Sequence, residues 1–73
     1  MPGNPYEEAA RAKKATSIAS ILVANKIPSS KMELAGEVQW GYAEKLAGVK
    51  PSSLETRAAV VKLMKEMEGH GAK

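Results

Sequence analysis

The stretch from Ser30 to Ser53 constrains the fold more than any other part of the chain. It contains the single tryptophan, Trp40, and three glycines within a run of apolar residues at helical spacing. If residues 30–47 formed one helix, at about 100° per residue, that helix would carry apolar residues on two nearly opposite faces. The first face consists of Leu34, Ala35, Val38, Tyr42 and Leu46, and the second consists of Gly36, Trp40, Ala43 and Ala47.

Two interpretations of this pattern are open. A continuous helix would have to bury both faces or offer one of them to another molecule. A break near Gly36 to Gln39 would give two short helices, each with one face to bury, and would spare the roughly 1 kcal/mol cost of a glycine inside a helix. In either interpretation we expect Val38, Tyr42 and Leu46 to lie in the core.

Length and composition restrict the class of protein. The chain has 73 residues, of which 44% are hydrophobic, so we expect one domain with a small core. The absence of cysteine excludes disulfides and cysteine-based metal sites. No apolar run approaches the roughly 18 residues of a membrane span, and the first residues lack the pattern of a signal peptide, so we predict a cytoplasmic protein that does not bind membranes. The net charge of +3 permits binding to nucleic acid.

Helix-start signals occur at three places. Asn4 followed by Pro5 predicts a helix that begins at residue 5, since asparagine caps helices and proline is tolerated in their first turn. Ser-x-x-Glu patterns that begin at Ser30 and Ser52 indicate capping boxes. With Gly48 and Gly69 as helix ends, the predicted helices are 5–25, 30–36, 39–47 and 53–68, the middle two being fused in the one-helix interpretation.

These elements predict an all-α fold, a small three- to four-helix bundle that can contain a helix-turn-helix. We expect a flexible N-terminus at residues 1–4, a single helical domain at residues 5–68 and a flexible C-terminal tail at residues 69–73.

The residues that carry catalytic chemistry are scarce. The only histidine, His70, falls in the predicted tail without a second metal ligand near it. Glycines 36, 41 and 48 do not have the spacing of a phosphate-binding loop. We therefore expect no enzyme activity, no cofactor and no metal.

Several short segments resemble one family of regulators. They are Ile27-Pro28-Ser29, Glu33-Leu34-Ala35, Val38, Tyr42 to Leu46, Lys50-Pro51-Ser52 and Leu54 to Arg57. In this order they resemble the Cro/repressor-type helix-turn-helix family of bacterial and phage DNA-binding domains, over about two-thirds of the chain. The sequence departs from the family pattern where Glu37 replaces the usual glycine before Val38, and the segment between Glu33 and Pro51 is shorter.

The resemblance implies a transcriptional regulator whose helix around residues 39–47 reads the major groove of double-stranded DNA. In that geometry, the N-terminal residues of the reading helix face the base edges, while basic residues around it contact phosphates. The predicted base-edge residues are Gln39, Trp40, Gly41 and Lys45, and the predicted phosphate contacts are Lys31, Lys50 and Arg57. Glu37 and Glu44 count against this function, because they place negative charge near the phosphates.

A protein-binding module is the alternative function. The face formed by Gly36, Trp40, Ala43 and Ala47 would be a shallow apolar patch with one aromatic anchor, which is typical of an interface hot spot. Its partner would be a larger host or phage protein, or a second copy of the chain in a homodimer.

Overall fold

The computed structural model describes residues 4–71, and their side chains through residue 69. These residues form four α-helices and no β-strand: α1 (Pro5–Ala24), α2 (Ser29–Glu33), α3 (Glu37–Ala47) and α4 (Leu54–Gly71). The all-α prediction is confirmed, and the central stretch consists of two helices. No helix in this part of the chain is both long and apolar enough to cross a bilayer. Residues 1–3, on which most of the predicted flexible N-terminus falls, lie outside the described residues.

The start of α1 is as predicted, and local hydrogen bonds define both of its ends. The Oδ1 atom of Asn4 accepts a hydrogen bond from the backbone N–H of Tyr6 at 2.8 Å, and Pro5 is the first helical residue. At the other end, Lys26 takes the left-handed conformation, with φ at 62°. The N–H of Ile27 then reaches back to the carbonyl of Leu22 at 3.0 Å, which closes the helix.

The turn between α2 and α3 covers residues 34–36. Its geometry is stabilised by Gln39, whose side-chain Oε1 accepts the N–H of Gly36 at 3.0 Å and so satisfies a donor at the start of α3. At the end of α3, Gly48 has a φ of 69°, and the N–H of Val49 bonds to the carbonyl of Glu44 at 3.0 Å. Gly48 therefore ends the helix as predicted.

The predicted capping box of Ser30 and Glu33 is wrong. The helix begins one residue earlier, at Ser29, whose backbone N–H and hydroxyl both donate to the carboxylate of Glu68 at 2.8 Å. These bonds hold the pKa of Glu68 below its usual value. Glu33 is instead paired with Lys65 at 2.7 Å. Both partners lie on α4, so contacts with another helix replaced the local cap.

The last helix is shifted and longer than predicted. Its cap is Ser53 rather than Ser52, because the Oγ atom of Ser53 accepts the N–H of Thr56 at 3.2 Å. The helix also continues through Gly69 to Gly71, so the tail predicted for residues 69–73 is wrong as far as residue 71. A glycine lowers helix stability but does not by itself end a helix. Residues 72 and 73 lie outside the described part of the chain.

The core lies where α1 packs against α4 and α3, while α2 packs against α4. Small residues on α1 allow close approach of the neighbouring helices. The fully or nearly buried apolar residues are Ala15, Ile18, Ala19, Leu22, Met32, Trp40, Ala43, Val60 and Met64.

The central stretch buries the face that contains Trp40 and exposes the face that contains Val38, which is the opposite of the prediction for the Val38 face. Trp40 and Ala43 are 5% and 1% exposed, whereas Val38, Tyr42 and Leu46 are 84%, 61% and 39% exposed. The prediction that these last three belong to the core is wrong. Burying the large indole beside a small alanine brings α3 close to α1, and this orientation turns the Val38 face outwards.

Candidate functional site

The outward side of α3 presents an apolar surface. It is formed by Val38, Gly41, Tyr42 and Leu46, which we call the α3 surface. Leu34, in the turn before α3, is a further exposed apolar side chain, at 89% exposure. Exposed large apolar side chains in one stripe are unusual on a soluble domain and mark surfaces that contact another molecule.

Lysines border the α3 surface on one side. Lys45 lines a groove with Val38, Gly41 and Tyr42, and this groove reaches Val49 and Pro51 in the loop after α3. Val49 also lines an adjoining groove with Lys13, Lys14 and Lys50, between α1 and the same loop. The Nζ atom of Lys14 donates to the carbonyl of Pro51 at 3.0 Å, which connects the two grooves. The basic side chains therefore form one continuous region.

A further lysine lies on the other side of α3. Lys31 lines a groove with Val38, Gln39 and Tyr42, so the side chains of Val38 and Tyr42 form a ridge between two grooves. We call the set of lysines around this ridge the lysine rim. It consists of Lys13, Lys14, Lys31, Lys45 and Lys50. Among the described residues, no member of the lysine rim forms a salt bridge.

Carboxylates are nearly absent from this region. Within the described residues, Glu44 is the only acid that lines any of these three grooves, and its side chain is 4% exposed. Its carboxylate accepts the N–H of Ser52 at 2.8 Å and the Nε of Arg57 at 3.3 Å. Burial opposes ionisation of Glu44, but the hydrogen bonds from Ser52 and Arg57 outweigh it and hold its pKa below the usual value. The charge is thus satisfied inside the protein.

Arg57 joins α4 to α3. Besides Glu44, its guanidinium contacts Glu37, with Nη1 at 2.9 Å from the carboxylate, and it lies 5.4 Å from the centre of the Trp40 ring. The hydrogen bond to Glu37 and the nearby carboxylates raise the pKa of Arg57. This cluster fixes the rotation of α3 about its axis, because Trp40 and Glu44 are held on the inner side.

The charged groups are therefore segregated. A different groove, between the start of α3 and α4, is lined by the ion pairs of Glu33 with Lys65 and of Glu37 with Arg57. Both carboxylates of that groove are paired with cations, although Lys62 there has no carboxylate partner among the described residues. The grooves at the α3 surface are instead bordered by lysines, and the one acid that lines them is the buried Glu44.

The predicted DNA contacts are only partly available. Gln39, Gly41, Lys45, Lys31 and Lys50 are exposed. Trp40 is buried in the core and cannot reach a base edge, so its predicted contact is wrong. Arg57 is 9% exposed and engaged by two carboxylates, so it is not free to contact a phosphate. Both side chains stabilise α3 rather than contact a ligand.

The predicted protein interface is also wrong. Of Gly36, Trp40, Ala43 and Ala47, only Gly36 is exposed, while Trp40 and Ala43 are buried and Ala47 is partly buried. Lys13 and Lys14 were not among the candidate residues predicted from the sequence. Their proximity to Lys50 depends on how α1 packs beside the loop after α3, and helical spacing carries no signal for it.

Comparisons with other proteins leave the family open. Neither a protein-family model, nor a curated protein, nor a solved structure matches this chain. The resemblance to the Cro/repressor-type family therefore stays a prediction from the residues. Among the described residues, no group of three or more histidines or acids is placed to hold a metal ion.

Proposed function

We propose that this chain is a non-enzymatic DNA-binding protein that inserts the α3 surface into the major groove of duplex DNA. A role as a cytoplasmic transcriptional regulator of bacterial or phage type is part of this proposal and rests on the resemblance in the sequence. The observation that carries the proposal is the charge arrangement. Lysines without ion-pair partners among the described residues flank an exposed helix on both sides.

The dimensions and side chains of α3 suit this role. The major groove is about 12 Å wide and admits an α-helix of about 10–12 Å diameter. Gly41 lies near the middle of the helix, and a Cβ atom there would meet no other atom within 4 Å, so the backbone is open to close approach. The first turns of α3 would face the base edges, as in other major-groove helices.

Individual roles follow from position. Lys31 lies on one side of the ridge and Lys50 on the other, so they would contact the two phosphate backbones that border the groove. Lys45 would reach a guanine or a phosphate. Gln39 uses its Oε1 atom to accept the N–H of Gly36, which leaves its amide NH2 group to donate to a base or a phosphate.

Salt dependence tests the proposal. Each neutralised phosphate contributes about −0.9 to the slope of log affinity against log salt concentration, so four or five contacts by the lysine rim predict a slope of about −3.6 to −4.5. Between about 50 and about 200 mM salt, affinity for a random duplex should therefore fall roughly 100- to 1,000-fold. Fluorescence anisotropy of a labelled duplex measures this directly.

Charge-removing variants supply the control. Lys45→Ala and Lys50→Ala should each weaken binding to all sequences and reduce the magnitude of the salt slope by about one. Lys62→Ala is the matched control, because Lys62 is exposed and lies in the groove beside α4, away from the α3 surface. Absence of salt-dependent binding, or equal losses for Lys62→Ala and Lys50→Ala, would overturn the proposal.

A protein partner is the second candidate, and the exposed stripe of Val38, Tyr42 and Leu46 on α3 favours it. Two copies of the chain packed through this stripe would bring their lysine rims together, so the partner has to supply carboxylates. A synthetic amphipathic helix with a leucine face flanked by glutamates is the probe. If it binds the α3 surface while duplex DNA does not bind, the protein-binding function replaces the first proposal.

A further inference from the structure

The outward residues of α3 offer few hydrogen-bonding groups to a base. Val38 and Tyr42 are 84% and 61% exposed, and Gly41 between them has no side chain. Gln39 matches adenine when its oxygen and its NH2 group bind the base together. The oxygen of Gln39 already accepts the N–H of Gly36 at 3.0 Å, which holds this side chain against the start of α3 and restricts how it can turn both groups toward an adenine. Apart from the hydroxyl group of Tyr42, the centre of the α3 surface is therefore apolar.

The major groove offers one apolar group to such a surface. Most groups that base pairs present there are hydrogen-bond donors or acceptors. The methyl group on C5 of thymine is apolar. A 5-methylcytosine carries the same methyl group at the same ring position. From these observations we infer that the α3 surface recognises pyrimidine C5 methyl groups in the major groove, through Val38 and Tyr42. This inference rests on the proposed DNA-binding function.

The spacing of the two side chains fits this target. Val38 and Tyr42 are four residues apart on one helix, which corresponds to a rise of about 6 Å along the helix axis. Successive bases on one strand are separated by about 3.4 Å along the duplex axis. Two methyl groups one or two base steps apart would therefore lie within reach of Val38 and Tyr42 together.

Electrostatics place DNA, rather than a second copy of the chain, on this ridge. Lysines lie on both sides of Val38 and Tyr42, and the single acid of the adjoining grooves, Glu44, is buried against Arg57 within the described part of the structure. A ligand with two lines of negative charge on either side of an apolar strip complements this arrangement. The methyl-bearing major groove between two phosphate backbones has that form.

Replacement of thymine by uracil tests the inference, because it removes only the methyl group. A duplex that binds the protein tightly is first selected from a random pool, and it is then synthesised in three forms. One contains thymine, one contains uracil at every thymine position, and one contains uracil together with 5-methylcytosine at every cytosine. We expect the uracil form to bind about three- to fivefold more weakly for each methyl group that the α3 surface buries, the value of one buried CH2 group. Recovery of affinity in the third form shows that C5 methyl groups on cytosine can also be the target, and absence of recovery restricts the target to methyl groups at the thymine positions of that duplex.

Side-chain variants separate contact from altered DNA shape. Val38→Ser and Tyr42→Ser should remove the difference between the thymine and uracil duplexes and leave salt-dependent binding to both. Leu54→Ser is the matched control, because Leu54 is an apolar residue 77% exposed at the start of α4, in the groove away from the α3 surface. It should keep the difference.

The two proposals fail in different ways. Equal affinity of the native chain for the thymine and uracil duplexes overturns the inference alone. A thymine preference that persists in the Val38→Ser and Tyr42→Ser variants overturns it as well, since that preference would come from the shape of the DNA. Absence of salt-dependent binding to any duplex overturns the proposed function and the inference together.

Discussion

Replacement of Arg57 by methionine is the most informative change to the framework that holds α3 in place. The side chain of Arg57 is 10% exposed, and it contacts Glu44 and Glu37, whose side chains are 4% and 81% exposed. Methionine retains much of the apolar contact with Trp40 and removes the charge. Glu44 would then remain buried with only the hydrogen bond from Ser52.

The expected decrease in stability follows from these contacts. Removing one partner of a buried ion pair costs about 3–5 kcal/mol, and the retained Ser52 bond reduces this toward the lower end. The contact with Glu37 adds little, because that carboxylate is solvated. Removal of the cation–π contact with Trp40 adds about 0.5–1 kcal/mol. We therefore expect Arg57→Met to lower the free energy of unfolding by about 3–4 kcal/mol, out of the roughly 4–11 kcal/mol typical for 73 residues.

Urea denaturation followed by the fluorescence of the single tryptophan measures this decrease. Lys65→Met is the matched control, since Lys65 is also a cation of α4 but pairs with Glu33 where both side chains are about half exposed. It should cost no more than about 1 kcal/mol. The double variant Glu44→Gln with Arg57→Met should recover part of the stability, because no uncompensated charge is left. A decrease for Arg57→Met that is no larger than the decrease for Lys65→Met would refute the reasoning.

Two further predictions concern the core and the pH dependence of stability. Leu22→Ala should lower the free energy of unfolding by about 2–5 kcal/mol, whereas Leu46→Ala, at an exposed position, should lower it by less than about 1 kcal/mol; equal melting temperatures would contradict the observed rotation of α3. The folded state lowers the pKa of Glu44, so its stabilising effect is present above the ordinary glutamate pKa of about 4.3 and is lost as pH falls through the lowered value. Glu44→Gln should therefore lose less stability than the native chain between neutral pH and about pH 3, and parallel pH profiles of the urea midpoint would argue against this role.

The helices were predictable where the signal is local. Asn4 and Pro5 start α1, and Gly48 ends α3, because capping residues and left-handed glycine act through neighbouring backbone groups. The capping box predicted for Ser30 and Glu33 does not form, because residues of α4 bind both ends of α2. Glu33 pairs with Lys65, and Ser29, the first residue of α2, donates to Glu68. A pattern of neighbouring residues cannot reveal contacts with helix residues that lie 32 and 39 positions further along the chain.

The orientation of α3 could not be predicted from its own residues. Periodicity correctly separates the Val38 face from the Trp40 face, but both faces are apolar, so periodicity does not decide which face is buried. The decision depends on Arg57, which lies 13 residues beyond Glu44 and holds the inner side of α3 through Glu44 and Trp40. The same orientation removes Trp40 and Arg57 from the predicted DNA contacts.

The candidate site was predictable in part for a related reason. Lys31, Lys45 and Lys50 come from the central stretch and were predicted as DNA contacts from the family resemblance, and the structure leaves them exposed. Lys13 and Lys14 join them only because α1 packs beside the loop after α3. Contacts between residues distant in the chain carry no periodic signal, so these two members of the lysine rim could be identified only from the fold.

Amide chemical shifts during titration with duplex DNA test the central claim most directly. We expect the largest changes at Val38, Gly41 and Tyr42, with smaller changes at Lys31 and Lys50. The indole N–H signal of Trp40 should remain nearly unchanged, because that side chain is buried on the inner side of α3. Changes centred on the groove beside α4, around Ala58 and Lys62, would contradict the claim that the α3 surface enters the major groove. An unchanged spectrum at saturating DNA would contradict DNA binding itself.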